Sequence, residues 1–316
     1  MERFRIKSAA VKSDGVVLSS VFAELSRRQL PAGGWAALQS SVQASLESTC
    51  LATLAIGSED SDEARLAQEF LVRVQNPNGS WPAFLGDDQD GAWVTSLAAI
   101  ALRDIAMATP ARLAGIDWLM KCEGKEANWF WRWKFLTADR HVRFDPDKFG
   151  WPWVPDTCSW VVPTAFAILA LSQVPCSGGG LEDIPLRVDL GIEMLMDRAC
   201  PGGGWNAGNG VVYGSTLAPH PDDTAIVLLA LNNRTQHPVV QASLKWLEST
   251  TQTLTAPWSL AWAILALAAH GRTVGPLITT LMALPDLAGN NDTCTLALVC
   301  LAVDYPRALA ALGANL

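Results

Sequence analysis

The sequence predicts an all-α fold, an (α/α)6 toroid in which six outer–inner helical hairpins close into a ring. Three observations predict it. A short segment, Q-x3-G-x-W, stands intact at Gln29–Trp35 and at Gln75–Trp81, with weaker copies further on. An amphipathic stretch precedes each copy, and an almost uncharged stretch rich in Ala and Leu follows it. Self-similarity at intervals of a few tens of residues marks a chain built from stacked supersecondary units.

In chain order, the third copy is read at Glu123, Ala127 and Trp129, and the fourth at Ala199, Gly203 and Trp205. The fifth runs from Thr251 to the neighbourhood of Trp258, and the sixth from Pro285 through Gly289. A Leu lies four residues ahead of each copy: Leu25, Leu71, Leu119, Leu195, Leu247 and Leu281. These close stretches such as EARLAQEFLVRVQ, whose charged face marks an outer helix. The apolar stretches begin at Thr49, Thr95, Thr164, Thr224, Leu260 and Thr295. They are apolar nearly all round, so they are read as buried inner helices. An open solenoid needs polar capping faces on its terminal repeats. The inner helices here stay apolar to the last, which favours closure.

The whole chain, residues 1–316, is read as one domain. A Trp-rich insertion occupies about residues 127–160, and the SGGG at 177–180 is a loop between helices. Half of the residues are apolar and 17% are charged, which excludes a disordered chain. The net charge of -8 gives no electrostatic reason to bind nucleic acid. Seven cysteines, an odd number without a CxxC pair, argue against a disulfide framework and for a reducing cytoplasm. No signal-peptide core stands at the N-terminus, and the longest apolar run, Ala256 to Ala269, is too short to cross a bilayer. The expectation is a cytoplasmic protein, with a peripheral membrane-surface contact left open. Fourteen Trp against two Tyr supply large apolar faces for packing or for a greasy pocket.

The Q-x3-G-x-W motif resembles the repeat of squalene and oxidosqualene cyclases, a toroid that also appears in class II diterpene cyclases and protein prenyltransferase β subunits. The motif itself is read as structural: Gln29 and Gln75 are expected to cap a neighbouring helix end while Trp35 and Trp81 pack on it. Chemistry is expected where the inner helices begin, because in a toroid of antiparallel hairpins their N-termini share one rim. Acids gather there, among them Glu47, Asp87, Asp88, Asp90, Asp156, Asp222, Asp223 and Asp292. Helix capping and the helix dipole already favour acids at such positions.

Within that rim, His220-Pro-Asp222-Asp223-Thr224-Ala225 resembles the Asp-x-Asp-Asp-Thr-Ala box of squalene-hopene and class II terpene cyclases. The resemblance implies Asp222 as the acid that protonates an isoprenoid, with Asp223 and His220 as its neighbours. The departure is His220, where the family has Asp; a cationic His220 would depress Asp222. The favoured reading is a terpene cyclase-like enzyme that acts on a hydrophobic isoprenoid and requires no cofactor. Trp93, Trp160 and Trp258 stand at the rim to line its cavity.

Asp156-Thr-Cys158 resembles the Asp-x-Cys zinc pair of protein prenyltransferase β subunits, which implies zinc in an alternative reading. Asp292-Thr-Cys294 repeats the tripeptide at another inner helix, as a cap followed by a small buried residue would. In the insertion, Trp129, Trp131 and Trp133 alternate with Arg132 and Lys134, the pattern of an extended edge. Arg140, His141, Arg143 and Lys148 follow, and basic groups among Trp faces could hold a diphosphate or a cation-prone chain. A non-catalytic toroid that binds an isoprenoid or a second subunit is the remaining alternative.

Overall fold

The structure, a computed structural model, describes residues 2–57, 61–103, 105–138, 142–175 and 183–314, with the backbone alone for residues 2–14. Outer helix α1 (Glu2–Arg27) leads to inner helix α2 (Leu46–Ile56), and α3 (Asp62–Arg73) to α4 (Val94–Ala101). The third hairpin pairs α5 (Thr109–Lys121) with α7 (Val161–Ser172), with α6 (Trp129–Thr137) inserted between them. The fourth and fifth pair α8 (Ile184–Asp197) with α9 (Pro221–Ala230), and α10 (Pro238–Thr250) with α11 (Pro257–Ala269). The sixth pairs α12 (Gly275–Met282) with α13 (Thr293–Val303), and α14 (Tyr305–Leu312) follows.

Each inner helix packs on the next in the order α2, α4, α7, α9, α11 and α13, and α13 packs back on α2. The ring is therefore closed, as the unbroken apolarity of the inner helices predicts. Every residue of α4 is buried, as is α11 from Leu260 onward. α14 packs on α2, α4, α11 and α13 and covers the C-terminal end of the ring. Arg307 there donates to the carbonyls of Leu54 and Ala55, which end α2 and have no intrahelical partner. No single described helix is long and apolar enough to cross a membrane.

One joint, repeated four times, explains the motif. The indole Nε1 of Trp35, Trp81, Trp151 and Trp205 donates to the carbonyl of Leu25, Leu71, Leu119 and Leu195. The backbone N–H of the same four Trp donates to Oγ1 of Thr49, Thr95, Thr164 and Thr224 in the inner helices. Each Trp thus ties the end of an outer helix to the start of an inner one, and all four are buried. Gln29 donates to the carbonyls of Gly33 and Glu63, and Gln75 to those of Gly79 and Ala111, which fastens each loop to the next outer helix. The motif glycine is required by both its conformation and its contacts. Gly33 has φ +100°, and a Cβ there would stand 2.2 Å from the Leu66 carbonyl oxygen.

The third copy corrects the sequence reading in two ways. Its Trp is Trp151, whereas Trp129 is 76% exposed. Leu119 and Trp151 are 32 residues apart where the other copies have 10, so the insertion interrupts the motif. Arg187 takes the place of the Gln, donating to the carbonyls of Cys122 and Gly150 with its guanidinium 3.5 Å from the Trp151 ring centroid. The alternating Trp129, Trp131 and Trp133 lie on helix α6, not on an extended edge. Asn128 caps α6 by accepting from the Phe130 N–H, and no Gly or Pro interrupts it. The SGGG segment, Arg140 and His141 lie outside the described residues.

Candidate functional site

The Thr–Trp joint fixes the rotation of α2, α4, α7 and α9. A helix turns about 100° per residue, so residues two before and two after an outward-facing Thr point roughly the opposite way, into the ring. Two before the anchors Thr49, Thr95, Thr164, Thr224, Leu260 and Thr295 stand Glu47, Trp93, Val162, Asp222, Trp258 and Thr293. By this register the six stand at the N-terminal end of the ring, its mouth. Two after the anchors stand Leu51, Leu97, Phe166, Ile226, Trp262 and Ala297, all buried.

Ring contacts confirm this placement. Phe166 of α7 meets Trp262 of α11 with centroids 5.9 Å apart, although α9 separates those helices in the ring order. The contact therefore crosses the lumen. Trp93 packs on Phe166 at 5.5 Å and edge-on to Trp153 at 5.1 Å, and Trp258 packs on Trp262 at 6.0 Å. An aromatic floor thus lies about one turn below the mouth. The Trp262 indole N–H, fully buried in that floor, has no hydrogen-bond partner.

Pro221 opens α9 at the position where a missing N–H costs nothing, which places Asp222 and Asp223 in the first turn. The helix dipole favours carboxylates there. Trp258 Nε1 donates to Asp222 Oδ2 at 3.3 Å, and Oδ1 accepts no hydrogen bond from the described residues. His220 Nδ1 lies 2.8 Å from Asp223 Oδ2. His220 therefore serves Asp223 rather than Asp222, and its side chain is 57% exposed at the solvent edge. Burial pushes the Asp223 carboxyl up; the hydrogen bond and charge of His220 oppose this, while the charge of Asp222 adds to it.

A carboxyl read from the sequence as a helix-end acid lies opposite. Glu47 sits in the first turn of α2, three places from α9 in a ring of six. It is half-buried, and burial together with the Asp292 charge pushes it from 4.5 up to about 7. Asp292 itself is a cap, accepting from the Thr295 N–H at 2.8 Å. Beside Glu47, Ser48 Oγ and Cys294 Sγ are 3.1 Å apart, and burial pushes both Cys50 and Cys294 up, so they stay neutral thiols.

The other predicted site residues do not join the mouth. Asp156 and Trp131 line one cavity of about 650 Å³, Arg143 a second, and Cys158 and Trp160 a third. Arg132 is paired with Asp147 at 3.1 Å, and Trp133 is 58% exposed. The residues do not fit zinc. Asp156 and Cys158 line different cavities, and His220 is engaged with Asp223. Among the described residues no three His, Cys, Asp or Glu side chains gather as metal ligands.

No family model matches the chain, and no curated protein matches it in sequence. Solved structures share its fold. The type II terpene cyclase MstE from Scytonema, bound to its product merosterolic acid A, matches with a TM-score of 0.61 at 11% identity. The match covers 96% of this chain and 99% of that one. The same cyclase bound to its substrate, geranylgeranyl dihydroxybenzoate, matches with a TM-score of 0.58 at 11% identity over 97% and 99% of the two chains. A protein from Actinoplanes matches with a TM-score of 0.59 at 14% identity over 95% and 99%. The chain therefore has the α/α toroid fold seen in the terpene cyclase, over about 96% of its length.

Proposed function

We propose that this chain is a class II terpene cyclase-like enzyme in which Asp222 protonates a linear isoprenoid and starts its cyclisation. The reading is supported by the ring order, in which Asp222 and Glu47 stand in the first turns of inner helices three places apart in a ring of six. Trp258 holds one oxygen of Asp222 and leaves the other to deliver the proton. Asp223 and His220 stand behind, with His220 at the solvent edge to return a proton. The cation is born above Trp93, Trp258 and Trp262, whose faces stabilise positive charge by roughly 0.5–2 kcal/mol each. Glu47, pushed to about 7, is matched to neutral pH and accepts the proton lost when the last ring closes. One proton enters at Asp222 and one leaves at Glu47, so the step needs no metal and no redox cofactor. The likeness in fold to a cyclase bound to a geranylgeranyl substrate supports this reading, since a toroid of the same extent holds that substrate.

An isoprenoid taken from a lipid phase requires a contact with that phase, and α6 offers one. Trp129, Phe130, Trp133 and Leu136 are all exposed on that short helix. We read α6 as the face that rests on a membrane.

A second reading, a toroid that binds an isoprenoid without turning it over, is favoured by the Phe166–Trp262 contact across the lumen. Product analysis separates the two. The protein is incubated with squalene and with geranylgeranyl-bearing chains, and products are resolved by gas chromatography and mass spectrometry. Cyclic products that vanish in Asp222→Asn support the cyclase. Cyclisation that survives in Asp222→Asn removes Asp222 as the acid, and stoichiometric binding without product favours the carrier.

A further inference from the structure

The ring is full below its mouth. At the level of the aromatic floor stand Leu51, Leu97, Phe166, Ile226, Trp262 and Ala297, and none is more than 4% exposed. A side chain that borders a space wide enough for a water keeps some accessible surface, so the lumen at this level holds no chamber. About a turn further down, Ala55, Ile100, Ala170, Leu229, Ala266 and Leu301 are buried as well, and α14 covers the far end. The ring therefore offers no path through it and no interior in which a long chain could fold.

Open surface at the mouth is shared unevenly. Val162 and Thr293 are buried, whereas Glu47, Trp93, Asp222 and Trp258 are half-buried. The space left to a substrate is bounded by two carboxyls and two indoles, above the contact of Phe166 with Trp262. From Val162 to Phe166, or from Trp258 to Trp262, the helix rises roughly 6 Å. That depth takes the end of a chain folded once upon itself, and not a second folded unit beneath the first.

We propose that only the last two units of a linear isoprenoid enter this mouth, because Phe166 and Trp262 floor it, and that the chain therefore closes a single ring. The inference rests on the cyclase reading and deepens it. The step balances within the substrate. Asp222 adds a proton to the terminal alkene, and the resulting cation bonds to the alkene of the next unit. Glu47 then removes a proton beside the new cation to leave a C=C bond. Two alkenes become one C–C single bond and one alkene, and the product is an isomer of the substrate. Glu47 is left protonated and Asp222 ionised until solvent resets both. A second closure needs the third unit folded against the second, in the space that the floor occupies.

The probes are glucosides of linear prenyl chains with two, three and four isoprene units, which carry the terminal alkene away from a soluble head. Products are resolved by gas chromatography and mass spectrometry after removal of the sugar. Calorimetry at several temperatures gives the heat-capacity change of binding, which follows the apolar surface buried whether or not turnover occurs. The unaltered protein is expected to yield one ring from all three chains, with the same heat-capacity change for each. Phe166→Ala, and Trp262→Phe as the milder variant, are expected to add two-ring products and a larger heat-capacity change for the three- and four-unit chains only. Two-ring products from the unaltered protein, or a heat-capacity change that grows with each unit, overturn the proposal. Folded variants that still close one ring and show no larger heat-capacity change overturn the role of the floor. Equal heat-capacity changes with no product from any chain overturn the cyclase reading alone and support the two-unit depth. Should both variants fail to fold, the length series on the unaltered protein decides it.

Discussion

Glu47→Gln tests whether the mouth holds a carboxyl against its own ionisation. In the folded protein burial and Asp292 push Glu47 from 4.5 to about 7. Between those values the folded chain keeps a proton that the unfolded chain has released. Folding there takes up a proton, so this group's contribution to stability is full below pH 4.5, falls as pH rises, and is lost above about 7. At about 1.36 kcal/mol per pH unit, less a discount for the partial exposure of Glu47, the loss is roughly 2–3 kcal/mol. Gln is nearly isosteric and carries no charge. Glu47→Gln is therefore expected to unfold in urea like the unaltered protein at about pH 4 and to exceed it by roughly 2–3 kcal/mol at about pH 8. The difference between the two proteins cancels the other titrating groups. A difference that stays constant from about pH 5 to 8 would refute the argument. A variant less stable at high pH would show that Glu47 is held by a favourable partner rather than by burial.

If Glu47 accepts the final proton, the cyclisation rate rises with pH through about 7, and Glu47→Gln removes that limb of the pH–rate profile while Asp222→Asn removes the rate itself. Trp151→Ala is expected to cost about 3–5 kcal/mol in urea unfolding, whereas Trp129→Ala stays within about 0.5 kcal/mol of the unaltered protein. The reverse order would return the third copy of the motif to Trp129. Trp129→Glu with Trp133→Glu is expected to abolish co-sedimentation with phosphatidylcholine–phosphatidylglycerol vesicles at unchanged melting temperature; retained co-sedimentation would remove α6 as the membrane contact.

The ring was legible in the sequence because its joints are local. A Leu, a Gln, a Gly and a Trp within about a dozen residues build one joint, and the all-round apolarity of the next stretch marks a buried helix. The third copy was misread because the insertion separates Leu119 from Trp151 by 32 residues. A Trp-rich insertion also makes Trp a poor marker, so Trp129 fitted the spacing without packing. The alternation in α6 mimics period two, yet a nine-residue helix capped by Asn128 presents the same letters at period 3.6. The pairing of Asp156 with Cys158 is implied by a resemblance to a zinc pair, but Asp156 has φ +61° and the two residues line different cavities. Glu47 was visible only as a first-turn acid. Nothing in a single sequence distinguishes a dipole-favoured carboxylate from one buried against Asp292, because that neighbour is 245 residues away and arrives only when α13 closes on α2.

The joint also explains why chemistry can sit in so apolar a ring. Four Trp–Thr pairs hold α2, α4, α7 and α9, and those Thr face outward to the loops. The residues two before the anchors face inward and take no part in the joint. They are Glu, Trp, Val, Asp, Trp and Thr, against the uniform Thr of the first four anchors. A position that the fold does not use for its own cohesion is free to vary, and a purely structural choice there would be apolar, as Val162 is. Two of the six are instead carboxyls, on opposite sides of the ring, and one is held partly protonated near neutral pH against the stability of the fold. A cap would explain one of them only if it capped, yet the N-cap position of α2 is Ser45 and that of α9 is His220. Asp292, which does cap, lies outside this register and shows what the structural role looks like. The carboxyls at 47 and 222 are therefore the two positions on which the proposed proton transfers rest, and Asp222→Asn and Glu47→Gln are the variants that test them.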